Sequence, residues 1–438
     1  MRIAGQGPFL WRYNDFMTPP ISERARRMPA SPIRKLMPLA DEARRRGVHI
    51  YHLNIGQPDL ETPEPMRKRL RELRDKVLAY TPSGGTPEYL ATLKSYYEGI
   101  GIPLDLEDII ATTGGSEALL FAFLACASEG DEALVVEPFY TNYSAFATMA
   151  GVRLVPLTSR AEDGFHLPAR EAWDKALTDR TRMVLLCNPS NPTGTVYTED
   201  EVRHVAGFCH DHGLFLIAYE VYREFVYDGR RAVSALSLPG FEPLVVVVDS
   251  QSKRYSACGI RLGCLVSRNH EVTQAAMKMA QGRLSAPGLA QVAALGAREL
   301  GPEYTEGVRT EYQKRRDLLY EGLSRVPGVF LRKPEGAFYF VARLPVDDAE
   351  AFARWLLTDF QRDGATVMVA PAEGFYATPG LGRDEVRIAY VLKEADLRAA
   401  VDILAAALPA YRAARKLDAR SAPAGTERQP DFSVPAES

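Results

Sequence analysis

The chain has 438 residues, 46% of them hydrophobic and 25% charged, which excludes a mostly disordered polymer and leaves room for one large or two ordinary domains. A formal net charge of −3 provides no basic field for nucleic acid or anionic lipid. The five cysteines, Cys126, Cys187, Cys209, Cys258 and Cys264, form no Cys-x-x-Cys pair and sit in or beside apolar runs, as free thiols of a reducing compartment do. No apolar run reaches the ~18 residues of a membrane span, and the first residues lack the order of a signal peptide, so a cytoplasmic location is expected.

Residues 1–20 hold Trp11, Tyr13, Phe16 and Met17 among glycines and prolines without a period, and they read as an arm that packs on another surface, a dimer partner being the natural candidate. Leu36, Leu39, Ala40 and Ala43 predict a helix over 33–46, ending before Gly47. Leu53-Asn54-Ile55-Gly56-Gln57-Pro58-Asp59 reads as a strand breaking into a turn where bare backbone can approach a ligand. Tyr80-Thr81-Pro82-Ser83-Gly84-Gly85-Thr86-Pro87 is a glycine-rich loop before a helix over 88–99. Residues 108–117, with Gly114-Gly115-Ser116-Glu117 at their end, read strand, glycine turn, helix start, which aims free N–H groups at an anion. The stretch is not a Walker loop, because no Gly-Lys-Ser/Thr follows.

The middle alternates strands at 133–137, 154–157, 183–187, 214–218, 244–249 and 262–266 with helices from about 140 and over 199–212. Such alternation predicts a largely parallel sheet between helices, with ligands at the carboxyl ends of its strands. Asn188-Pro189-Ser190-Asn191-Pro192-Thr193-Gly194 lies at one such end and Tyr219-Glu220-Val221-Tyr222 at the next. At the third, the run Leu244–Val248 delivers Asp249-Ser250-Gln251-Ser252-Lys253, with Gly259 and Arg261 just beyond. Two hydroxyls, a glycine and a planar cation suit a phosphate, and a lysine held beside a phosphate suggests a Schiff base. A Ser-x-Ser-Lys run alone is more often a solvated loop; three unusual loops on one rim single it out. By contrast, His210-Asp211-His212 sits at a helix end without a third ligand, so no metal site is expected.

From about residue 304 an amphipathic helix and short strands at 336–340, 367–371 and 386–390 predict a second, α+β domain, covered by helices over 350–362 and 397–408. The expected division is an arm at 1–20, the start of the small domain at 21–50, a large domain at 51–303, the rest of the small domain at 304–414, and a polar tail at 415–438.

Together these loops resemble the fold-type I pyridoxal-phosphate enzymes, and among them the class I/II aminotransferases, from about Ser31 to Leu408. The motifs that carry the resemblance are Asn188-Pro-x-Asn-Pro-Thr-Gly, Ser250-x-Ser-Lys-x5-Gly-x-Arg261, and a late Arg387 in a short strand. It implies an α/β large domain around a seven-stranded, mostly parallel sheet, a small α+β domain from both chain ends, and a homodimer with shared active sites. It further implies that Lys253 forms a Schiff base with pyridoxal 5'-phosphate. Ser250, Ser252, Arg261 and the backbone of Gly115 and Ser116 would hold the phosphate, and Tyr80 would reach the phosphate of the neighbouring subunit. Tyr140 would stack on the pyridine ring, and Asn191 and Tyr222 would bond its phenolic oxygen. Arg387, helped by the Gly56 backbone and Asn191, would clamp the substrate carboxylate. In dicarboxylate-specific relatives a second arginine, donated by the other subunit, reads the side-chain carboxylate; no equivalent is assigned here, with Arg34 and Arg283 as possible positions.

The family chemistry moves an amino group between an L-amino acid and a 2-oxo acid, with Lys253 as general base once a nearby cation such as Arg261 and desolvation have lowered its pKa. One position departs from the family pattern. Where the family places an Asp against the pyridine nitrogen, this chain has Tyr219, and Glu220 beside it should point to the opposite face. A phenol is neutral at pH 7, so proton abstraction is expected to be slowed or altered. The other readings are a lyase, racemase or oxidase acting on an amino acid, and a non-catalytic protein that keeps the fold.

Overall fold

Strands with two apolar faces dictate the centre of the fold. In Val245–Ser250 every residue is buried, and successive side chains enter different cores: Val246 and Val248 join Tyr219 and Tyr222, whereas Val245 and Val247 join the other. Thr181–Cys187 divides in the same way, with Met183 and Leu185 on the first face and Val184 and Leu186 on the second. The computed structural model describes residues 19–417. Its large sheet has seven strands in the order Ile109–Thr112, Gly263–Val266, Val245–Ser250, Phe215–Tyr219, Thr181–Cys187, Glu132–Glu137 and Arg153–Thr158. Gly263–Val266 runs antiparallel to both neighbours, and the other pairings are parallel. The helix Gly114–Cys126 buries Leu119 and Phe123 in the first core, and Glu199–Asp211 buries Val202 and Phe208 in the second. This is the α/β architecture that the alternation predicts.

A smaller α+β part draws on both ends of the described chain. His49–His52 pairs in parallel with Ala365–Met368, His49 opposite Ala365. A four-stranded sheet follows in the order Ala370–Pro371, Glu385–Ala389, Tyr339–Arg343, Phe330–Leu331, in which Val341 pairs with Arg387. The helices Pro302–Ser324, Ala349–Thr358 and Glu394–Arg415 pack on these strands and on one another. No helix among the described residues is long and apolar enough to cross a membrane. Trp11, Tyr13, Phe16, Met17 and the tail from 418 lie outside the described residues.

Several expected boundaries move, each for a local reason. The helix expected from 33 begins at Met37, because Pro32 is followed by turns over 32–36 and Pro38 suits only a first helical turn. The strand expected at Leu53 is His49–His52; Leu53 donates one last bond to the Met368 carbonyl before the chain leaves the ladder. The strand expected from 336 begins at Tyr339, since Gly336 bridges Val226 and Ala337 takes a left-handed φ of 55°. Lys253 sits in a short helix, Gln251–Arg254, rather than a loop, because the Ser250 side chain accepts from the Ser252 N–H and caps it.

Candidate active site

Thr181–Cys187, Phe215–Tyr219 and Val245–Ser250 are neighbours in the large sheet, so the three loops that follow them open onto one place. A cavity of about 720 Å³ lies there, walled at these strand ends by Asn191, Tyr219, Tyr222 and Lys253. Gly56, Tyr140 and Arg387 close it from other parts of the chain.

One corner is built for an anion. Ser250 Oγ donates to Ser252 Oγ at 2.9 Å, and both serines line the cavity with Arg261, Gly115 and Ser116. The first-turn N–H groups of Gly114–Cys126 have no intrahelical acceptor, so those of Gly115 and Ser116 stay available beside the guanidinium. Two glycines make the approach: a Cβ on Gly114 would lie 2.7 Å from an Arg261 nitrogen, and one on Gly263 would lie 2.7 Å from the Gly115 nitrogen.

Lys253 Nζ donates to the Gly56 carbonyl at 2.8 Å and lies 3.6 Å from Cys258 Sγ. Burial lowers its pKa, and the charges of Arg387 and Arg261 push the same way, against the opposing pull of Cys258. Both causes foreseen for this lysine are therefore present.

From the Gly56 carbonyl a polar chain runs through the site. Tyr339 donates its hydroxyl to that carbonyl at 3.4 Å and meets the Tyr222 hydroxyl at 3.2 Å. Asn191 Nδ2 donates to Tyr222 at 3.2 Å, while its Oδ1 accepts from Arg387 Nη1 at 3.2 Å. Arg387 Nη2 donates to the Asn54 carbonyl at 2.5 Å, and its guanidinium lies over the rings of Tyr339 (4.5 Å) and Phe375 (5.0 Å). Arg387 is buried with no carboxylate beside it among the described residues, and its Nε has no partner. A buried, uncompensated guanidinium of this kind is a receptor for an incoming carboxylate.

Residues 48–404 match the family model of class I and II aminotransferases. The chain belongs to this family. It is 30% identical to the probable aspartate/prephenate aminotransferase of Aquifex aeolicus, covering 85% of this chain and 95% of that protein. The probable aspartate/prephenate aminotransferase of Thermus aquaticus is 31% identical, covering 89% and 99%. Among solved structures, the aspartate aminotransferase of Thermus thermophilus with maleate superposes with a TM-score of 0.80 at 29% identity, over 89% of this chain and all of the other. The alanine aminotransferase of Pyrococcus furiosus gives 0.81 at 26% identity with the same coverage. The architecture is thus fold-type I, and the chain is a pyridoxal-phosphate-dependent aminotransferase.

The cavity fits that cofactor. It offers an amine at Lys253, the serine and arginine corner for a phosphate, the Tyr140 ring as a flat wall, and polar groups on Asn191 and Tyr222. Tyr140 accepts from Asn142 Nδ2 at 2.8 Å, which fixes the tilt of its ring. Tyr80 lines no part of this cavity; it is 81% exposed, with Val77 and Leu78 similarly bare beside it.

Tyr219 ends its strand facing the cavity. Its ring lies 6.3 Å from that of Tyr140 at 37° and 5.7 Å from that of Tyr143 at 70°. Its hydroxyl makes no hydrogen bond among the described residues and would stand 3.5 Å from a Cβ on Gly115. Burial raises its pKa well above that of a free phenol, so it is neutral throughout the working range. Glu220 points to the opposite face as expected, where it accepts from Arg223 Nε (3.1 Å), Ser234 Oγ (3.0 Å) and the Ala235 N–H (2.9 Å).

Sequence reasoning missed Tyr339, Cys258, Asn54 and Asn142 as members of the cavity wall. Tyr339 was legible only through strand pairing: Val341 sits opposite Arg387, so Tyr339, two residues along, shares that face. Of the two arginines considered for a side-chain carboxylate, Arg283 is held elsewhere, by Glu117 at 2.9 Å and the Ala111 carbonyl at 2.6 Å. Arg34 lines the cavity.

Gly56 admits no larger residue, since a Cβ there would fall 1.7 Å from the Tyr339 hydroxyl. Gly56→Ala is expected to displace Tyr339 and the carbonyl that holds Lys253, costing about 1–3 kcal/mol of stability and weakening cofactor retention. Thermal unfolding and cofactor release during dialysis check this together.

Proposed function

We propose that this aminotransferase exchanges an amino group between an L-amino acid and a 2-oxo acid at Lys253, with proton abstraction slowed because Tyr219 faces the cofactor nitrogen. The single observation that carries the reading is the convergence of a depressed Lys253 amine and an uncompensated, buried Arg387 on one cavity. Its named relatives include both aspartate/prephenate and alanine aminotransferases, so their names leave the amino donor open.

Bound pyridoxal phosphate supplies an aldehyde that takes the amino group and a ring that draws electron density from Cα. The chain's own residues do the rest. Ser250, Ser252, Arg261 and the N–H groups of Gly115 and Ser116 hold the phosphate, with Tyr80 of a second copy completing that corner in a homodimer. Tyr140 fixes the ring plane, and Asn191 with Tyr222 bonds the phenolic oxygen. Arg387 orients the substrate carboxylate as a two-pronged donor, already aligned by Asn191 and the Asn54 carbonyl. Lys253 is the covalent anchor; freed from that role, its neutral amine takes the Cα proton at Nζ, and the Gly56 carbonyl limits where that atom can swing. The division into domains at 51–303 and 304–414 belongs to this reading, since strand ends from the first and Arg387 from the second meet at the substrate.

Tyr219 offers a neutral hydroxyl where a carboxylate would keep the ring nitrogen protonated. Exchanging a charge-assisted bond of ~1.5–3 kcal/mol for a neutral one of ~0.5–1.5 loses roughly 1–2 kcal/mol of direct interaction. That alone is about a tenfold effect, and weaker electron withdrawal adds to it. Tyr219→Asp is expected to raise the single-turnover transamination rate by about tenfold or more. A variant no faster than the parent would defeat the role given to this residue.

The same tyrosine favours one second reading, a lyase, racemase or oxidase for which weak electron withdrawal suppresses transamination. Incubation with single amino acids separates the two. Stoichiometric oxo acid with aminated cofactor supports transfer, and ammonia, racemate or oxygen uptake supports the other class.

A further inference from the structure

The transfer reading leaves one nucleophilic side chain of the cavity without a task. Cys258 lines the wall and is only partly buried, whereas Cys126, Cys187, Cys209 and Cys264 are all buried. Burial pushes the Cys126 thiol up to about 12 and the Cys187 thiol up to about 11, and it raises those of Cys209 and Cys264 as well. Those four are inert packing groups. Cys258 is the cysteine that a small polar molecule entering the cavity can reach.

The chain that follows Lys253 brings this thiol back to the lysine. Beyond the short helix Gln251–Arg254, the Ser256 N–H donates to the Lys253 carbonyl at 3.3 Å and the Ala257 N–H to the Ser252 carbonyl at 3.1 Å. Ser256 takes a left-handed φ of 47°, which turns the backbone so that Cys258 faces the lysine. Cys258 Sγ donates to the Ser252 carbonyl at 3.2 Å, and Lys253 Nζ, held on the Gly56 carbonyl at 2.8 Å, stands 3.6 Å from the sulfur. Each atom is tethered by a backbone carbonyl, at a separation close to the ~3–3.5 Å of a near-attack pair. No carboxylate competes for the amine among the described residues, where Nζ bonds only to Gly56 and Cys258.

We propose that Lys253 and Cys258 form a modification site for a small hydroperoxide, which joins them through a sulfenamide bond and withdraws the lysine from the cofactor. Cys258 Sγ first attacks the peroxide O–O bond. The sulfur is oxidised by two electrons to a sulfenic acid, and the peroxide is reduced and leaves as water or an alcohol. The Nζ lone pair then attacks that sulfur: the N–S bond forms, the S–O bond breaks, and the oxygen leaves as water with a proton from the amine. Burial, which lowers the pKa of Lys253, keeps this lone pair available. An external thiol reverses the link by attacking the sulfur while the nitrogen takes its proton, and a second thiol frees Cys258. The link needs a free amine, so it forms in the cofactor-free chain and is blocked while Lys253 is the covalent anchor. That last point rests on the transfer reading above.

The test treats the full chain with hydrogen peroxide, once freed of cofactor and once saturated with pyridoxal phosphate, then blocks free thiols and digests with trypsin. In the cofactor-free chain the peptide ending at Arg254 and the peptide beginning at Tyr255 are expected to stay joined, lighter by two hydrogens than their sum. Dithiothreitol should separate them, and Cys258→Ser should never show them joined. Cofactor fixed by borohydride should fall by the joined fraction and return after the thiol. Peptides that are not joined, oxygen added to Cys258 with Lys253 left free, or a joined fraction that still fixes cofactor overturns the proposal. Joining that proceeds equally well in the cofactor-saturated chain overturns Lys253 as the anchor, and with it the transfer reading, while the link itself stands.

Discussion

Replacing Lys253 with alanine is expected to lower single-turnover amino transfer by at least about 10²–10⁴-fold, the range for losing a positioned general base, with loss of the covalent anchor added to it. The protein should still fold. Lys253 occupies a short capped helix whose cap is Ser250, and its side chain contributes two bonds, to the Gly56 carbonyl and, more weakly, to Cys258 Sγ. A mere packing residue would instead lower stability and rate together. The pH dependence carries a sign. Burial, seconded by Arg387 and Arg261, lowers the Lys253 pKa from its usual 10.5, so the neutral amine is populated at lower pH than in a free lysine. The proton-abstraction rate should rise with pH through that lowered value and level off above it. A rate still climbing steeply toward pH 10.5 would mean that Lys253 is not depressed as its surroundings demand.

Truncating Arg387 is expected to be nearly as damaging, for a different reason. Removing one partner of a buried, hydrogen-bonded charge pair costs about 2–5 kcal/mol, or roughly 30- to several-thousand-fold in kcat/KM. Arg387→Ala also leaves Asn191 Oδ1 and the Asn54 carbonyl without their donor, so part of the effect will appear as stability. Arg387→Lys separates the two. It keeps the charge but loses the planar fork, and should restore folding while leaving the substrate KM raised. If Arg387→Lys matched the parent in KM, the substrate carboxylate would have to be read by another group.

How much of this was legible beforehand follows from the kind of signal each residue left. Lys253, Asn191, Tyr219 and Tyr222 sit at or just beyond the carboxyl ends of strands, and apolar runs such as 244–248 announce those strands without ambiguity; adjacency in the sheet then brings the strand ends together. Gly115 and Ser116 were equally plain, because a strand, two glycines and a helix leave little choice of geometry. Tyr339 and Asn54 were not visible as site residues. Their place depends on the pairing of Tyr339–Arg343 with Glu385–Ala389 and on the exit of the chain after His49–His52, and neither register is written in local composition. Cys258 looked like any thiol near an apolar run, and only the fold of 252–261 brings its sulfur to 3.6 Å from Lys253. The helix start at Met37 was misjudged because apolar spacing continues through residues that Pro32 and Pro38 hold in turns. That shift matters, since it leaves Arg34 on a turn at the cavity rather than on a helix face.

Reduction of the cofactor-saturated protein with borohydride, followed by proteolysis and peptide mass mapping, tests the central claim most directly. The account predicts a single labelled peptide bearing reduced cofactor on Lys253. A label on another lysine, or none, would contradict it and remove the basis for every role assigned around that cavity.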